Sequence, residues 1–265
     1  MIKLSANLSF LFNELPFEKR FNASSVLGFK AVEFLFPYEY KINSIKEWLE
    51  EAKQKLILFN TYPGSWENGE RGIASIVGRE SEFREKFELS IEYASQLDCP
   101  FIHVMSGINT KNNMHNKARD IFKENLHYAA TSCSKHNITA LIEPINDRDI
   151  PNYHLNYVDD ALNIIKEINH PNLKLQLDLY HAQIMSGDLT NIIKRSIEYT
   201  KHIQIASPPY RSDPGTGEIN YNFIFNVINN LNYNGYIGCE YKPLDQTVNS
   251  LKWAVNFGIN NKINN

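Results

Sequence analysis

The stretch that decides the fold runs from residue 138 to residue 179 and reads ITALIEPINDRDIPNYHLNYVDDALNIIKEINHPNLKLQLDL. It contains two short apolar runs, Ile138–Pro144 and Leu173–Leu179, on either side of a helical pattern over Val158–Ile168. A strand, a helix and a second strand in this order imply parallel pairing through a right-handed crossover. The stretch therefore predicts one strand–helix unit of an α/β protein and the beginning of the next.

The same alternation repeats along the chain and gives eight strand–helix units. The predicted strands are Leu4–Phe10, Ala31–Phe36, Leu56–Tyr62, Phe101–Met105, Ile138–Pro144, Leu173–Leu179, His202–Ala206 and Tyr236–Glu240. The predicted helices are Pro16–Leu27, Ser44–Lys55, Ser81–Leu97, Asn116–His136, Val158–Ile168, Leu189–Tyr199, Tyr221–Leu231 and Leu244–Phe257. Eight such units can close a barrel, which leaves no sheet edge exposed. An open doubly wound sheet would usually carry a Gly-rich dinucleotide turn after an early strand, and the sequence has none. The pattern therefore favours a single α/β barrel of the (β/α)8 type.

Length and composition agree with one domain. The chain has 265 residues, of which 43% are hydrophobic and 22% are charged, and a (β/α)8 barrel commonly takes roughly 250 residues. We assign residues 1–258 to the barrel and expect the Asn- and Lys-rich residues 259–265 to fray. The net charge of -3 argues against a nucleic-acid partner, because phosphate binding calls for a basic surface.

Cysteine usage and hydropathy indicate a cytoplasmic protein. Cys99, Cys133 and Cys239 are widely spaced and form no C-x-x-C pair, which argues against a disulfide framework and a thiolate zinc site. The amino terminus lacks the long apolar core of a signal peptide. No stretch approaches the roughly 20 apolar residues that a membrane helix needs. We therefore expect reduced thiols and no membrane partner, and the sequence leaves homo-oligomerisation open.

Four polar residues stand late in predicted strands, which is where the chemistry of a (β/α)8 barrel lies. They are Glu143, Asp178, Gln204 and Glu240, in strands five to eight. Side chains alternate along a strand, and in the last three of these strands the named residue belongs to the more polar or smaller set. The apolar set should face the helices, so we expect the four side chains inside the barrel mouth.

The three carboxylates among these residues predict a divalent metal site. Carboxylates that converge in an apolar barrel repel one another and are costly to desolvate, and a cation offsets that cost. Three carboxylates with one amide carbonyl form an all-oxygen ligand set, which suits Mg²⁺ or Mn²⁺ better than zinc. The alternative is that these residues form solvated salt bridges with nearby lysines, which explains one such residue more readily than four.

Two histidines and two cations are further candidates for the site. His181 lies just past strand six and His103 lies in strand four, and either could hydrogen-bond a substrate hydroxyl. Arg211 and Lys242 follow the last two strands and could hold a substrate carboxylate, the arginine in a bidentate manner. The plainer interpretations are a core histidine for His103 and a surface cation for Lys242. Glu33, late in strand two, is interpreted as a structural group or as a group that supports the site residues from behind.

Taken together, these segments resemble a known family. The segments are Tyr62-Pro63-Gly64, Gly69-Glu70-Arg71-Gly72-Ile73-Ala74, His103-Val104-Met105, Ile142-Glu143-Pro144-Ile145-Asn146, Arg148-Asp149-Ile150-Pro151, Gln176-Leu177-Asp178-Leu179-Tyr180-His181, His202-Ile203-Gln204-Ile205-Ala206, Pro214-Gly215-Thr216-Gly217-Glu218-Ile219-Asn220-Tyr221 and Ile237-Gly238-Cys239-Glu240-Tyr241-Lys242-Pro243. They resemble the hydroxypyruvate isomerase family of the xylose-isomerase-like barrels, from the first strand to the last helix.

The resemblance implies a site and a reaction. It implies that Glu143 and Glu240 act as an acid/base pair, and that both surround a metal together with Asp178 and Gln204. The expected reaction interconverts hydroxypyruvate and tartronate semialdehyde through a cis-enediolate, so the expected partner is a small hydroxy-keto acid.

The resemblance also implies that His181 and Arg211 contact the substrate. The loop after strand seven departs from the family pattern, because Ser207-Pro208-Pro209 replaces the more usual Asp-Val-Pro and Ser212 stands where a histidine is common. These departures leave the acid/base pair intact and bear on substrate choice.

Other activities of this barrel class stay open at this point. Isomerisation of a four-carbon acid such as 2-oxo-tetronate and C3 epimerisation of a free ketose use the same enediolate. An AP-endonuclease-like nuclease would look histidine-rich at the strand ends and would bind several zinc ions, whereas carboxylates dominate here. A non-catalytic sugar-acid binding barrel would not need the carboxylate set.

Overall fold

The computed structural model describes residues 2–109 and 115–260, without the side chain of residue 115. Eight strands in this part of the chain form a closed barrel in chain order, and each strand runs parallel to the next. The last strand pairs with the first, with Leu4 opposite Ile237. The strands are β1 Lys3–Asn7, β2 Ala31–Glu33, β3 Lys55–Asn60, β4 Phe101–His103, β5 Thr139–Ile142, β6 Leu173–Asp178, β7 Thr200–Ile205 and β8 Tyr236–Cys239. The predicted single (β/α)8 barrel is therefore confirmed.

Helices cover the outside of the barrel and bury an apolar stripe against it. The helices are α1 Phe17–Val26, α2 Ile42–Ala52, α3 Glu80–Gln96, α4 His115–Ser134, α5 Val158–Ile168, α6 Leu179–Met185, α7 Leu189–Ser196, α8 Tyr221–Asn230 and α9 Thr247–Ser250, with 3-10 helices at Trp66–Asn68 and Lys252–Phe257. In α5 the buried residues are Val158, Ala161, Leu162, Ile164 and Ile165. Most of them are three or four positions apart, so one face of the helix packs on the sheet.

The sixth predicted strand runs into a helix that the sequence did not predict. The strand predicted to continue to Leu179 stops at Asp178, and the unpredicted helix α6 begins at the next residue. The side chain of Asp178 accepts a hydrogen bond from the Tyr180 N–H at 2.8 Å, which caps the helix and starts it. The alternating Leu175, Leu177 and Leu179 therefore spanned two elements.

The predicted last helix, Leu244–Phe257, is wrong as a single element. It is divided into α9 and the 3-10 helix Lys252–Phe257. Ser250 Oγ donates to the Thr247 carbonyl at 2.7 Å, and the Leu251 N–H bonds instead to the Val248 carbonyl three residues back. A short polar side chain that competes for a helix carbonyl in this way tightens the turn.

A buried polar layer lies below the mouth of the barrel. Glu33 is fully buried, its Oε2 lies 2.8 Å from His202 Nε2, and the same oxygen accepts from Ser5 Oγ at 2.7 Å. Gln204 Nε2 donates to Glu33 Oε1 at 2.8 Å. Gly238 gives this carboxylate its space, because a Cβ at residue 238 would lie 2.3 Å from Glu33 Oε1. Glu33 therefore has the structural position that the sequence indicated.

The chain stays packed on the barrel as far as residue 260. Ile259 is buried, and the Asn260 N–H donates to the Leu27 carbonyl at 2.7 Å. Two residues of the tail expected to fray are thus held in place, and residues 261–265 lie outside the described part. Among the described residues, no helix is long and apolar enough to span a membrane.

Replacing Gly238 with alanine should destabilise the fold. The added methyl group meets the Glu33 carboxylate, and overpacking of this kind costs about 1–3 kcal/mol. Urea unfolding of the wild type and of Gly238→Ala measures the loss. In a Glu33→Ala background the same substitution should cost less, because the opposing side chain is shortened. An equal cost in both backgrounds would show that the close approach to Glu33 is not the cause.

Candidate active site

A cavity of about 330 Å³ opens at the carboxyl ends of the strands. Six of the eight predicted site residues line it: His103, Glu143, His181, Arg211, Glu240 and Lys242. The other two, Asp178 and Gln204, are buried and contact lining residues, because Asp178 lies 3.4 Å from Arg211 and Gln204 donates to Glu240. Larger depressions of about 520 and 460 Å³ lie beside α8 and α2, and neither brings buried carboxylates together.

Glu143 is the first residue after β5 and has the poorest electrostatic compensation. Its Oε2 lies 3.4 Å from His103 Nδ1. Its Oε1 is 3.9 Å from His181 Nε2 and has no hydrogen-bond partner among the described residues. Burial, and then the negative charges of Glu240 and Asp178, raise the pKa of Glu143 well above its ordinary value. The side chain therefore retains its proton to a higher pH than an ordinary glutamate does.

Glu240 is the first residue after β8 and is held by three donors. Arg211 Nη2 lies 2.5 Å from Oε1, while Asn7 Nδ2 and Gln204 Nε2 donate to Oε2 at 2.7 and 2.5 Å. Burial nevertheless raises the pKa of Glu240 to about 8, although Arg211 works against the increase. A carboxyl group with a pKa near neutrality can both release and accept a proton during a reaction.

Arg211 already forms ion pairs with carboxylates of the protein. Besides Glu240, Nη2 lies 3.4 Å from Asp178 Oδ2 and Nη1 lies 3.6 Å from Asp149 Oδ2. The guanidinium also packs over the rings of Phe10 and Tyr180. Its backbone φ of 56° is unfavourable for a residue with a side chain. Arg211 therefore holds the carboxylates of Glu240, Asp178 and Asp149 in position. To bind a substrate carboxylate it would have to exchange these partners.

His181 presents a hydrogen-bond donor to the cavity. Its Nδ1 faces two donors of Asn146, the side-chain Nδ2 at 2.6 Å and the backbone N–H at 3.3 Å. Asn146 is oriented by the Asp149 N–H, which donates to Asn146 Oδ1 at 2.7 Å. Burial lowers the pKa of His181 well below its ordinary value, so the ring is neutral. Because Nδ1 must accept, the proton lies on Nε2, which is 3.5 Å from Asp178 Oδ2.

His103 shows the opposite arrangement. Its Nδ1 lies 3.2 Å from Asn60 Oδ1 and 3.4 Å from Glu143 Oε2, and both are acceptors. Burial lowers the pKa of His103 to about 3, so the neutral ring carries its proton on Nδ1. Nε2 has no partner in the part of the chain that the structure describes. One histidine therefore offers a donor to the cavity and the other offers an acceptor.

The cluster contains groups that could hold a metal ion. Ligand atoms of Glu143, Asp178 and His181 lie within 4.8 Å of one another. The unpartnered Glu143 Oε1 favours a cation at this position, because a buried carboxylate oxygen without a donor is costly. His181 Nε2 carries a proton in the tautomer that Asn146 imposes, so the carboxylates are the better ligands.

Gln204 stands behind the carboxylates in a closed set of hydrogen bonds. Its Oε1 accepts from Gln176 Nε2 at 2.6 Å, and its Nε2 donates to Glu33 and Glu240. In this arrangement the amide oxygen is already in use. For Gln204 to serve as a ligand, as the sequence predicts, the Gln176 contact would have to be exchanged.

Sequence reasoning missed several residues of the site. Asn7 and Asn60 end β1 and β3 and contact Glu240 and His103. Polar residues at strand ends were the signal used for the other candidates, and the same signal would have found these two. Arg71 lines the cavity from the long loop after β3. In this loop no periodic pattern of apolar residues indicates the backbone conformation.

The fold and this cluster of acid–base groups define an enzyme of the (β/α)8 barrel class. Residues 21–257 match the family described as xylose isomerase-like TIM barrel, and the chain belongs to that family. Hydroxypyruvate isomerase of Escherichia coli is 45% identical over 253 residues, which cover 96% of this chain and 98% of the relative. 2-oxo-tetronate isomerase of Cupriavidus necator is 44% identical over 253 residues, with 96% and 97% covered.

Within the xylose isomerase-like barrels, the chain therefore belongs to the isomerase family that includes these two relatives, and the predicted family and enzyme class are confirmed. A solved structure described as an AP endonuclease, family 2, from Brucella melitensis is also similar. It shares 44% sequence identity, covers 97% of this chain and 99% of its own, and superposes with a TM-score of 0.95.

Glu143→Gln should stabilise the chelator-treated protein, and the gain should grow as the pH rises above about 5. The unfolded chain ionises Glu143 near its ordinary pKa of about 4.3. The folded wild type retains the proton to higher pH and thus loses up to about 1.4 kcal/mol of stability per pH unit in this window. Glutamine does not titrate. Thermal unfolding of both proteins across pH should show a Tm difference that widens with pH.

Glu33→Gln provides a control of opposite sign. Burial alone would raise the pKa of Glu33, but His202, Gln204 and Ser5 together outweigh it and lower the pKa. The carboxylate therefore stabilises the fold above its unfolded pKa, and this contribution is lost as the pH falls through the folded value. Glu33→Gln should destabilise the protein at neutral pH and less so in acid. A pH-independent Tm difference between the wild type and Glu143→Gln would show that folded Glu143 does not retain its proton to higher pH than the unfolded chain.

Proposed function

We propose that this chain interconverts hydroxypyruvate and tartronate semialdehyde by moving a proton between adjacent carbons. The observation that carries the proposal is that Glu143 and Glu240, from β5 and β8, line one small cavity and both have raised pKa values. Two carboxyl groups with raised pKa values in one site suit a reaction that needs a base and an acid at pH 7. The isomerases among the relatives support the same reaction class.

The proposed mechanism needs one glutamate as a carboxylate and the other in its protonated form, and it uses the histidine tautomers described above. One glutamate removes a proton from the hydroxyl-bearing carbon, and the electron pair of that C–H bond forms the double bond of an enediolate. The other glutamate, in its protonated form, delivers a proton to the former carbonyl carbon. The substrate hydroxyl proton passes to the adjacent former carbonyl oxygen of the cis-enediolate, so that the first oxygen becomes the new carbonyl oxygen. His181 Nε2–H donates to the oxygen on which charge develops, and His103 Nε2 accepts from the substrate hydroxyl. The direction of the reaction decides which glutamate acts first.

Glu143, Asp178 and Glu240, with Gln204 behind them, would hold the divalent cation. Their oxygen atoms fit Mg²⁺ or Mn²⁺, and the cation supplies charge stabilisation for an enediolate. Arg211 fixes Asp178 and Glu240 in position. Lys242 is exposed and lines the cavity, so it adds positive charge at the entrance for an anionic substrate. We keep the prediction of a cytoplasmic enzyme, which the buried free thiols of the three cysteines support.

Cavity size favours a small acid. A volume of about 330 Å³ lies at the lower end of ligand sites, which run from roughly 300 to 1,000 Å³. Isomerisation of 2-oxo-tetronate, the activity named for several relatives, is the nearest alternative, and epimerisation of a free ketose would use the same groups. Cleavage of abasic DNA, suggested by the name of the similar solved structure, is less favoured, because buried carboxylates repel a phosphodiester.

A substrate panel tests the proposal. The purified protein should convert hydroxypyruvate, lose activity after treatment with a chelator and regain it with Mg²⁺ or Mn²⁺. The same preparation should be tested on 2-oxo-tetronate, on a free ketose and on a duplex with an abasic site. Turnover of the four-carbon acid or of the ketose alone would replace the substrate assignment. Cleavage of the duplex without turnover of any acid would overturn the isomerase proposal.

Replacing either glutamate should remove the proton transfer. Glu143→Gln and Glu240→Gln are each expected to lower kcat at least about a hundredfold, because glutamine neither accepts nor donates the proton. Incorporation of deuterium from D2O into the substrate, followed by NMR, should fall in parallel. Glu198→Gln, an exposed residue of the surface, is the matched control and should leave both rates unchanged. Near-normal exchange in either site variant would refute the acid/base assignment.

A further inference from the structure

Arg71 is a second arginine at the cavity, and the structure holds it in a fixed position. It immediately precedes Gly72, whose N–H donates to the Pro63 carbonyl at 2.7 Å. A Cβ on Gly72, where φ is 108°, would lie 2.4 Å from the Met105 carbonyl oxygen, so only glycine permits this close approach to the end of β4. The loop is thus fastened to the barrel, and Arg71, which lines the cavity, is carried on a rigid support.

The guanidinium of Arg71 is oriented so that one edge remains available. Nη1 donates to the carbonyls of Trp66 at 3.0 Å and Glu70 at 2.7 Å. Cζ lies 3.7 Å above the Trp66 ring, which fixes the plane of the group. Both hydrogens of Nη1 are thereby used. Nε and Nη2 make no hydrogen bond within residues 2–109 and 115–260, and these two nitrogens form the edge that binds a carboxylate in a bidentate manner.

No protein carboxylate neutralises Arg71 in the part of the chain that the structure describes. The nearest acidic neighbour in sequence, Glu70, is engaged elsewhere: its carboxylate accepts from the Ser65 N–H and pairs with Arg79. Arg211 differs in this respect, because each of its terminal nitrogens already lies near a carboxylate. Arg71, a half-buried residue of the cavity lining, therefore has a charge that is still available to a ligand.

We propose that Arg71 binds the carboxylate of the substrate and thereby selects an acid over a neutral ketose. Trp66 and the two carbonyls position the guanidinium, so little side-chain freedom is lost when the ligand binds. The metal-binding and acid/base groups then act on the other end of a three- or four-carbon molecule. The inference rests on the proposed function for the identity of the reaction, while the carboxylate site itself is defined without it.

Binding of an unreactive acid and its neutral counterpart tests the inference. Glycerate and glycerol differ by the carboxylate, and their affinities can be measured by calorimetry on the wild type and on variants. Arg71→Met should weaken glycerate binding by about ten- to a hundredfold, the range for a lost charge-assisted hydrogen bond, and leave glycerol binding unchanged. Arg71→Lys keeps the charge but loses the fork and should lie between. Arg84→Met removes an arginine that packs over Tyr128 away from the cavity and should match the wild type.

Kinetics add a second readout. In Arg71→Met the KM for hydroxypyruvate should rise while kcat at saturation is largely retained, because the carboxylate does not change during the reaction. Equal glycerate affinities in the wild type and Arg71→Met, or no preference of the wild type for glycerate over glycerol, would overturn the inference. If Arg71→Met does not fold, as judged by circular dichroism, the same comparison is made with Arg71→Lys.

The outcomes separate this inference from the proposed function. Glycerate binding that depends on Arg71, without turnover of any substrate in the panel, would refute the proposed reaction and leave the carboxylate site standing. Turnover of hydroxypyruvate with an unchanged KM in Arg71→Met would refute the role of Arg71 and leave the reaction standing.

Discussion

The structure at the mouth of this barrel depends on four buried carboxylates and on the groups that compensate their negative charge. Glu33 has His202 and several neutral donors, and its pKa falls despite complete burial. Asp178 and Glu240 share Arg211, and burial still raises their pKa values to about 6 and about 8. Glu143 lies beside two neutral histidines, and burial and the charges of Glu240 and Asp178 raise its pKa well above the ordinary value, although Arg211 works against the increase. Compensation therefore decreases from a structural carboxylate deep in the barrel to the buried carboxylates that surround the cavity at its mouth.

This difference in charge compensation explains how one barrel combines a structural polar layer with a reactive site above it. In the deep layer both carboxylate oxygens of Glu33 accept hydrogen bonds, and Gly238 leaves the space that this side chain occupies. The upper layer keeps groups that are incompletely paired, which is costly for stability and useful for proton transfer. The two neutral histidines complement these groups, since His181 presents a hydrogen-bond donor to the cavity and His103 presents an acceptor.

Much of this architecture could be predicted from sequence, because it depends on periodicity. Eight apolar runs separated by helical patterns were sufficient to predict a closed barrel, and Glu143 and Glu240 were found because polar residues at strand ends interrupt those runs. Prediction from sequence failed where a side chain determines the local backbone conformation. Asp178 starts a helix inside an apparent strand, and Ser250 tightens a helix that the pattern showed as continuous. The position of Arg71 depends on loop contacts between distant segments, which no local pattern encodes.

Asp178 also has a second role that restricts how this family can diverge. The residue ends β6, accepts the Tyr180 N–H as the cap of α6 and faces Arg211 and His181. In a descendant that abandoned the chemistry, a residue that cannot cap this helix would still cost about 0.5–2 kcal/mol. Drift at this position would therefore favour Asn, Ser or Thr, so a side-chain oxygen would be retained here after selection for catalysis had ceased.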